Sequence, residues 1–298
     1  MQMQQQTSGL ILAVTAYSIW GFYPLYFSYL NSVSPVEILA QRIIWSLVAT
    51  LSIGVLLGYG KKLRTALQDR KIIGWLGLSA LLISINWLVY IWAVGQHRVI
   101  EASLGYFISP VVSLIMARLF FKEKLHPLQQ VAGIIAALAI LWEFFSIGQL
   151  PWIGLTLAFA FASYGVVRKH CTIDGINGMT IETIWLLSPA LIWVSWQSLG
   201  TTNTLNFGTT PSITLLLIGV GLLSALPLIL FAMATRRIDL SVVGFIMYIN
   251  PTLQFLIGVF VLKETYPPER LITFILVWFA LLFFTMGLFK LRRETAII

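Results

Sequence analysis

The stretch YFISPVVSLIMARLFFKEKLHP, residues 106–127, has a counterpart 141 positions later in MYINPTLQFLIGVFVLKETYPP, residues 247–268. Pro110 falls on Pro251, Lys122-Glu123 on Lys263-Glu264, and Pro127 on Pro268. Extended toward the N-terminus, the same gap-free offset sets Ala93 on Ala234. Both copies are apolar runs closed by a charged pair and a proline, which is how a helix reaches water and the next one starts. The offset carries the third and fourth predicted helices onto the eighth and ninth. Five helices is an odd number, so the second copy is expected to run upside down relative to the first. Inverted repeats of this kind occur in many secondary transporters, with the substrate site near the bilayer midplane at the repeat interface. The duplication divides the chain at residues 1–146 and 147–298.

Composition sets the solvent. The 298 residues are 58% hydrophobic and 10% charged, where a soluble domain carries about 25% charged residues. That much apolar surface is hidden by lipid, and the length fits ten spans of about 20 residues. The predicted spans are 8–30, 35–59, 72–95, 99–121, 126–145, 151–168, 177–198, 212–235, 240–262 and 266–289. The N-terminal Met1–Gly9 holds no Lys or Arg, so the first span is expected to be a retained helix and not a cleaved leader. The expected fold class is therefore an all-α membrane protein of ten transmembrane helices in two inverted five-helix repeats.

The net charge of +8 sits in short clusters between apolar runs. The expected partner of that charge is the lipid bilayer and not nucleic acid. Alternate connections on one side hold fourteen of the 19 Lys and Arg, while the other side holds only Arg98, Lys263 and Arg270. The positive-inside rule then places both termini in the cytoplasm. The lone cysteine, Cys171, excludes an intramolecular disulfide, and His97, His126 and His170 lack metal-ligand spacing. No phosphate loop, nucleophile elbow or HExxH is present. No cofactor, no metal and no enzymatic activity are expected.

Polar groups inside the spans are the candidate site. Pro110 and Pro251, each expected near the middle of its helix, free a backbone carbonyl and mark a break suited to gating. Tyr106, Ser109 and Ser113 share one face of the fourth helix, and Asn250 and Gln254 hold the matching positions in the ninth beside Tyr248. Ser79, Asn86 and Tyr90 line the third helix, and Tyr17 and Trp20 the first. The expected substrate-binding set is Tyr17, Trp20, Arg42, Asn86, Tyr90, Tyr106, Ser109, Tyr248 and Asn250. Arg42 lies about two turns into its span, where a charge is costly and functional or paired. It is expected to select an anionic or zwitterionic substrate, or to pair with Glu101 as an outer gate. Glu37, Glu101 and Glu182 are gate or coupling candidates, with Glu182 equally readable as a solvated helix-start carboxylate. Gly54-x-x-x-Gly58 permits close helix packing.

Four segments carry a family likeness: Tyr17-Ser18-Ile19-Trp20-Gly21; Gln41-Arg42-Ile43-Ile44-Trp45-Ser46; Asn86-Trp87-Leu88-Val89-Tyr90-Ile91-Trp92-Ala93; and Glu101-Ala102-Ser103-Leu104-Gly105-Tyr106-Phe107-Ile108-Ser109-Pro110. With the Lys-Glu pairs they resemble the EamA branch of the drug/metabolite transporter superfamily, and within it the RarD proteins. The resemblance implies a bacterial plasma-membrane permease or exporter. It covers nearly the whole chain and adds no residue roles to Trp20, Arg42, Asn86, Tyr90, Glu101, Tyr106 and Pro110. The family pattern has His-Arg where this chain has Gln41-Arg42, which leaves the coupling ion open.

These readings converge on a transporter of small metabolites or drug-like compounds. Its two halves would rock around a cavity bounded by helices one, three, four, six, eight and nine. The partner is a small-molecule substrate, and the oligomeric state is open, with a monomer sufficient. The rivals are a non-transporting receptor or scaffold and a lipid-modifying membrane enzyme. The second needs a clustered acid/base constellation at an interface, which the sequence does not display.

Overall fold

The computed structural model describes residues 2–122, 126–171, 173–199, 204–235, 237 and 246–295, and every regular element among them is helical. The chain opens with α1 (Gln2–Gly21), stops at Phe22, and resumes as α2 (Tyr23–Ser28). Pro24 in the first turn of α2 supplies no amide donor, so the helix is interrupted there, while Thr7–Ser28 still forms one apolar span. Next come α3 (Pro35–Leu56) and α5 (Arg70–Gly95). Ser34 caps α3 through the Glu37 amide at 3.1 Å, and Asp69 caps α5 through Lys71 at 2.8 Å. Between them the basic connector, expected as loop, coils into the short helix α4 (Gly60–Ala66).

Helix α6 (Val99–Phe121) carries Pro110 inside it and ends at Lys122, in the left-handed region at φ 56°. Helix α7 (Pro127–Ile147) starts on a capping box of His126 and Gln129 and ends at Gly148, φ 71°. Then follow α8 (Trp152–His170), α9 (Gly175–Leu199) and α10 (Pro211–Thr235), with Pro189 and Pro227 inside the last two. Helix α11 (Ile249–Leu256) widens into π-helical Ile257–Val261, and α12 (Glu269–Thr295) closes the described chain. Pro251 thus stands in the first turn of α11, after a turn at Met247–Tyr248, and not in mid-helix. Glu123, Lys124, the Thr201–Asn203 part of the predicted loop, Arg236 and the start of the predicted ninth span lie outside the described residues.

Eight of these segments are long and apolar enough to cross a bilayer, and 152–168 and 249–261 are shorter apolar helices. Exposed Leu, Ile, Phe and Trp cover the outside of the bundle, from Leu10 and Leu56 to Trp196 and Phe279. That inverts the soluble pattern, and the chain is a multi-pass membrane protein.

The helices pack in matched pairs. Helix α6 lies on α8 and α11, and α1 on α10 and α11. Helix α5 lies on α8 and α9, α3 on α9 and α10, and α7 on α12. Two crossings bring backbone against backbone: a Cβ at Gly105 of α6 would stand 2.6 Å from the Gly154 carbonyl of α8. A Cβ at Gly221 of α10 would run into the Trp45 backbone of α3. Gly54 and Gly58 have open space around them, so the predicted small-residue motif is not a packing site within this chain. The largest core cluster, with Tyr23, Phe27, Tyr90, Leu157 and Leu217, draws on α2, α3, α5, α6, α8 and α10 and surrounds the polar centre described next.

Candidate functional site

Arg42 projects from α3 toward α2 and α5. Its side chain is buried, with 4% of the residue exposed. The guanidinium carbon lies 4.0 Å from the ring centre of Trp87 and 5.8 Å from that of Tyr23. Its Nε has no hydrogen-bond partner, and no carboxylate pairs with it among the described residues. A cation seven residues into a helix stands about 10 Å along its axis, where each missing partner is costly. The aromatic faces return part of that cost, since cation–π contact strengthens in dry surroundings.

Around the guanidinium stand tyrosines from three elements. Tyr90 on α5 meets Tyr106 on α6 at 5.8 Å and Phe27 on α2 at 6.0 Å between ring centres. The Tyr106 hydroxyl donates to Asn86 Oδ1 at 3.2 Å, and Asn86 Nδ2 donates to the Leu157 carbonyl of α8 at 3.0 Å. The buried Tyr90 hydroxyl has no partner, whereas the Tyr23 hydroxyl donates to the Leu223 carbonyl of α10. Four predicted residues, Arg42, Asn86, Tyr90 and Tyr106, thus come together. Tyr23 and Trp87 complete the centre. Reasoning from the sequence missed both, although Trp87 follows Asn86 and Tyr23 precedes Pro24.

The other predicted residues fall elsewhere. Tyr17 packs on Trp20 at 5.3 Å and Phe231 at 6.1 Å, in a cluster shared by α1, α10 and the approach to α11. Trp20 touches this cluster and the core around Arg42. Its carbonyl accepts from Gln254 Nε2 at 3.4 Å, and the same amide donates to Asn250 Oδ1 at 2.7 Å. Tyr248 stacks on Phe107, its ring plane tilted by 20°. The Ser109 hydroxyl is spent on its own helix, donating to the Gly105 carbonyl at 2.9 Å.

None of the three candidate carboxylates pairs with Arg42. Glu37 accepts from the Asn206 and Phe207 amides, both at 2.8 Å, and fastens the connection ahead of α10. Glu101 pairs with Arg270 of α12 at 2.8 Å and Arg98 at 2.7 Å, so the expected Arg42–Glu101 gate does not form. Glu182 is buried, accepts from the Ser79 hydroxyl and meets Arg168 at 3.5 Å, which excludes a solvated helix-start carboxylate. Glu143 and Arg270, bonded at 2.9 Å, escaped notice. A lone acid within an apolar span is a visible signal, and Glu143 in α7 is one. Glu264, at the end of the π-helical turn, caps α6 with both oxygens, accepting from Val99 at 2.8 Å and Ile100 at 2.9 Å. Burial pushes its carboxyl up from the ordinary value, and those two amides draw it back.

Comparison with known proteins agrees with this architecture. Residues 7–144 match the model of the EamA-like transporter family. Protein RarD of Escherichia coli (strain K12) is 39% identical over 297 residues, covering 99% of this chain and 100% of that one. The transporter YojE of Bacillus subtilis (strain 168) is 39% identical over 299 residues, covering 99% of both. One protein of known crystal structure superposes with a TM-score of 0.62 at 16% identity, over 94% of this chain and 98% of that one, a likeness of fold alone.

Proposed function

The chain belongs to the EamA-like transporter family and, within it, to the RarD proteins, and on that premise we propose that it moves small organic anions or zwitterions across a bacterial inner membrane by alternating access. That it is a membrane transporter of the drug/metabolite transporter superfamily follows from the family. The substrate class and mechanism are our reading. Arg42 carries it. A buried guanidinium held against Trp87 and ringed by Tyr23, Tyr90 and Tyr106, with no carboxylate paired to it among the described residues, is a cation waiting for an anion. A carboxylate or phosphate on the substrate supplies what the fold withholds. The rings accept its apolar part, and the free Tyr90 hydroxyl offers a further bond.

Alternating access needs two halves that move against each other. We read residues 1–146 and 147–298 as inverted copies and the protein as ten transmembrane helices with cytoplasmic termini. Three observations support this. The 141-residue offset aligns both Lys-Glu ends, and Lys122 and Lys263 share the left-handed conformation at φ 56° and 51°. Exchanging each long helix with the one five places on carries the α6–α8 contact onto α1–α11 and the α5–α9 contact onto α3–α10. The Lys and Arg bias places the Arg98, Lys263 and Arg270 end outside.

The test is ligand-dependent thermal stabilisation of the detergent-purified protein against carboxylates, amino acids and organic phosphates, since binding to the native state alone raises the apparent melting temperature. Arg42→Ala is expected to keep the fold and erase the shift produced by an anionic hit. Arg42→Lys, which keeps the charge and loses the planar fork, is expected to retain a weaker shift. An unchanged shift in Arg42→Ala would refute the charge-selection role.

A further inference from the structure

The end of the bundle that carries His97, Arg98 and Lys263 holds four buried carboxylates, Glu37, Glu101, Glu143 and Glu264, of which Glu37 is committed to the Asn206 and Phe207 amides. Glu264 is committed to the two amides at the start of α6. The other two share one cation. Arg270 donates through Nε to Glu143 Oε1 at 2.9 Å and through Nη2 to Glu101 Oε1 at 2.8 Å. Arg98 also reaches Glu101, at 2.7 Å, from a side chain that is 33% exposed. Glu143 has no such help. It is 1% exposed, its Oε2 is buried without a hydrogen-bond partner, and the polar group that α12 sets against it besides Arg270 is the buried, unpartnered Thr273 hydroxyl. The remaining charges at this end come from the connections and from the start of α12: His97, Lys263, Glu264 and the exposed Glu269. None forms an ion pair with Glu143 among the described residues.

Glu101 is balanced by Arg98, whereas Glu143 has only a share in the buried Arg270 guanidinium. A fully ionised pair with an unmet buried oxygen is costly, and carboxylates sharing a site resolve the conflict by holding a proton on one of them. Glu101 Oε2 also lacks a hydrogen bond but stands 2.7 Å from Arg98 Nη2, whereas Glu143 Oε2 is in no ion pair among the described residues. Protonated at Oε2, Glu143 still accepts from Arg270 through Oε1. Water has a route to the cluster, because a cavity of about 260 Å³ lined by His97, Arg98, Glu101, Glu264 and Arg270 opens beside it.

We propose that Glu143, Arg270 and Glu101 form a proton-binding site in which Glu143 holds one proton while Arg270 ties α6, α7 and α12 together at this end. When the tie opens, Glu143 gains access to water, and its carboxylic acid passes the proton to solvent. The site itself stands on this geometry alone. Only the consequence, that the proton drives substrate movement, rests on the transporter reading.

The test is an infrared pH titration of the purified full-length protein, following the carbonyl stretch of a protonated carboxylic acid, beside thermal melting over the same pH range. The proton is bound in the folded state and released on unfolding, so its stabilising effect is present at low pH and lost as pH rises through the titration. The wild-type melting temperature should fall over that interval. Glu143→Gln should lose the infrared band and flatten the melting profile, and Glu264→Gln should keep both. Glu101→Gln leaves Arg270 to Glu143 alone, so its band should vanish or move to lower pH, and this variant decides the matter where Glu143→Gln does not fold. A band that persists in Glu143→Gln, or is unmoved in Glu101→Gln, overturns the proposal. Substrate binding through Arg42 is read separately, so neither result stands in for the other.

Discussion

At one end of the bundle Arg270 grips two carboxylates on two other helices at 2.8 and 2.9 Å, and Glu264 and Glu37 each take two backbone amides. At the other end one ion pair is found among the described residues, Arg168 and Glu182, 3.5 Å apart, with Ser79 as a third member. The first end is fastened by short, charge-assisted bonds that span many elements. Among the described residues the second is joined by one long ion pair between α8 and α9, the Ser79 bond from α5, Trp185 Nε1 donating to the Ile73 carbonyl at 3.0 Å and Arg237 donating to the Ser8 hydroxyl at 3.0 Å. Hydrogen bonds to charged groups are individually the stronger kind, and among the described residues the Arg270 end has more of them and shorter ones. A carrier that exposes its site to one side at a time needs such unequal ends, with an equilibrium close enough for a ligand to reverse.

Substitutions can break or sharpen this contrast. The largest effect is expected for Arg270→Ala, which strands two buried carboxylates and should cost about 3–5 kcal/mol, read as a lowered midpoint of detergent-phase unfolding. Glu182→Ala breaks a longer pair that includes a partly exposed arginine, and a loss of about 1–3 kcal/mol is expected by the same measurement. If Glu182→Ala costs as much as Arg270→Ala, the two ends are equally fastened and the contrast fails. Glu264→Ala removes a helix cap, for about 0.5–2 kcal/mol. It should also raise hydrogen exchange at Val99 and Ile100 without touching α8 or α9. Ser79→Ala is the smallest, about 1 kcal/mol for one hydrogen bond, confined to the Arg168 end.

Much of the fold could be read in advance because lipid imposes a simple rule. Each span needs its own run of apolar residues, and charges collect between runs, so the ends of α3, α5, α7 and α9 fall near their predicted places. The misses have local causes. Pro24 breaks the first helix, and the turn at Met247–Tyr248 moves the break in the ninth upstream of Pro251. The connector at 60–66 coils because nothing in it forbids a helix. The site was legible only in part. Arg42, Asn86, Tyr90 and Tyr106 stand out as polar groups in apolar spans. Ser109 stood out equally, yet its hydroxyl turns to its own backbone, a choice that spacing does not reveal.

By itself the sequence determined that this chain is a bundle of membrane helices with its positive charge gathered between the apolar runs, because hydropathy acts residue by residue. The tertiary structure alone decided who pairs with whom. Glu101 stands next to no arginine of its own helix face but Arg98, and Arg270 follows it 169 residues later. Arg42 has Glu37 on its own helix and turns to Trp87 instead. Such choices depend on which helices cross at which depth, set by close approaches such as Gly105 on Gly154. Only the packed bundle fixes that geometry.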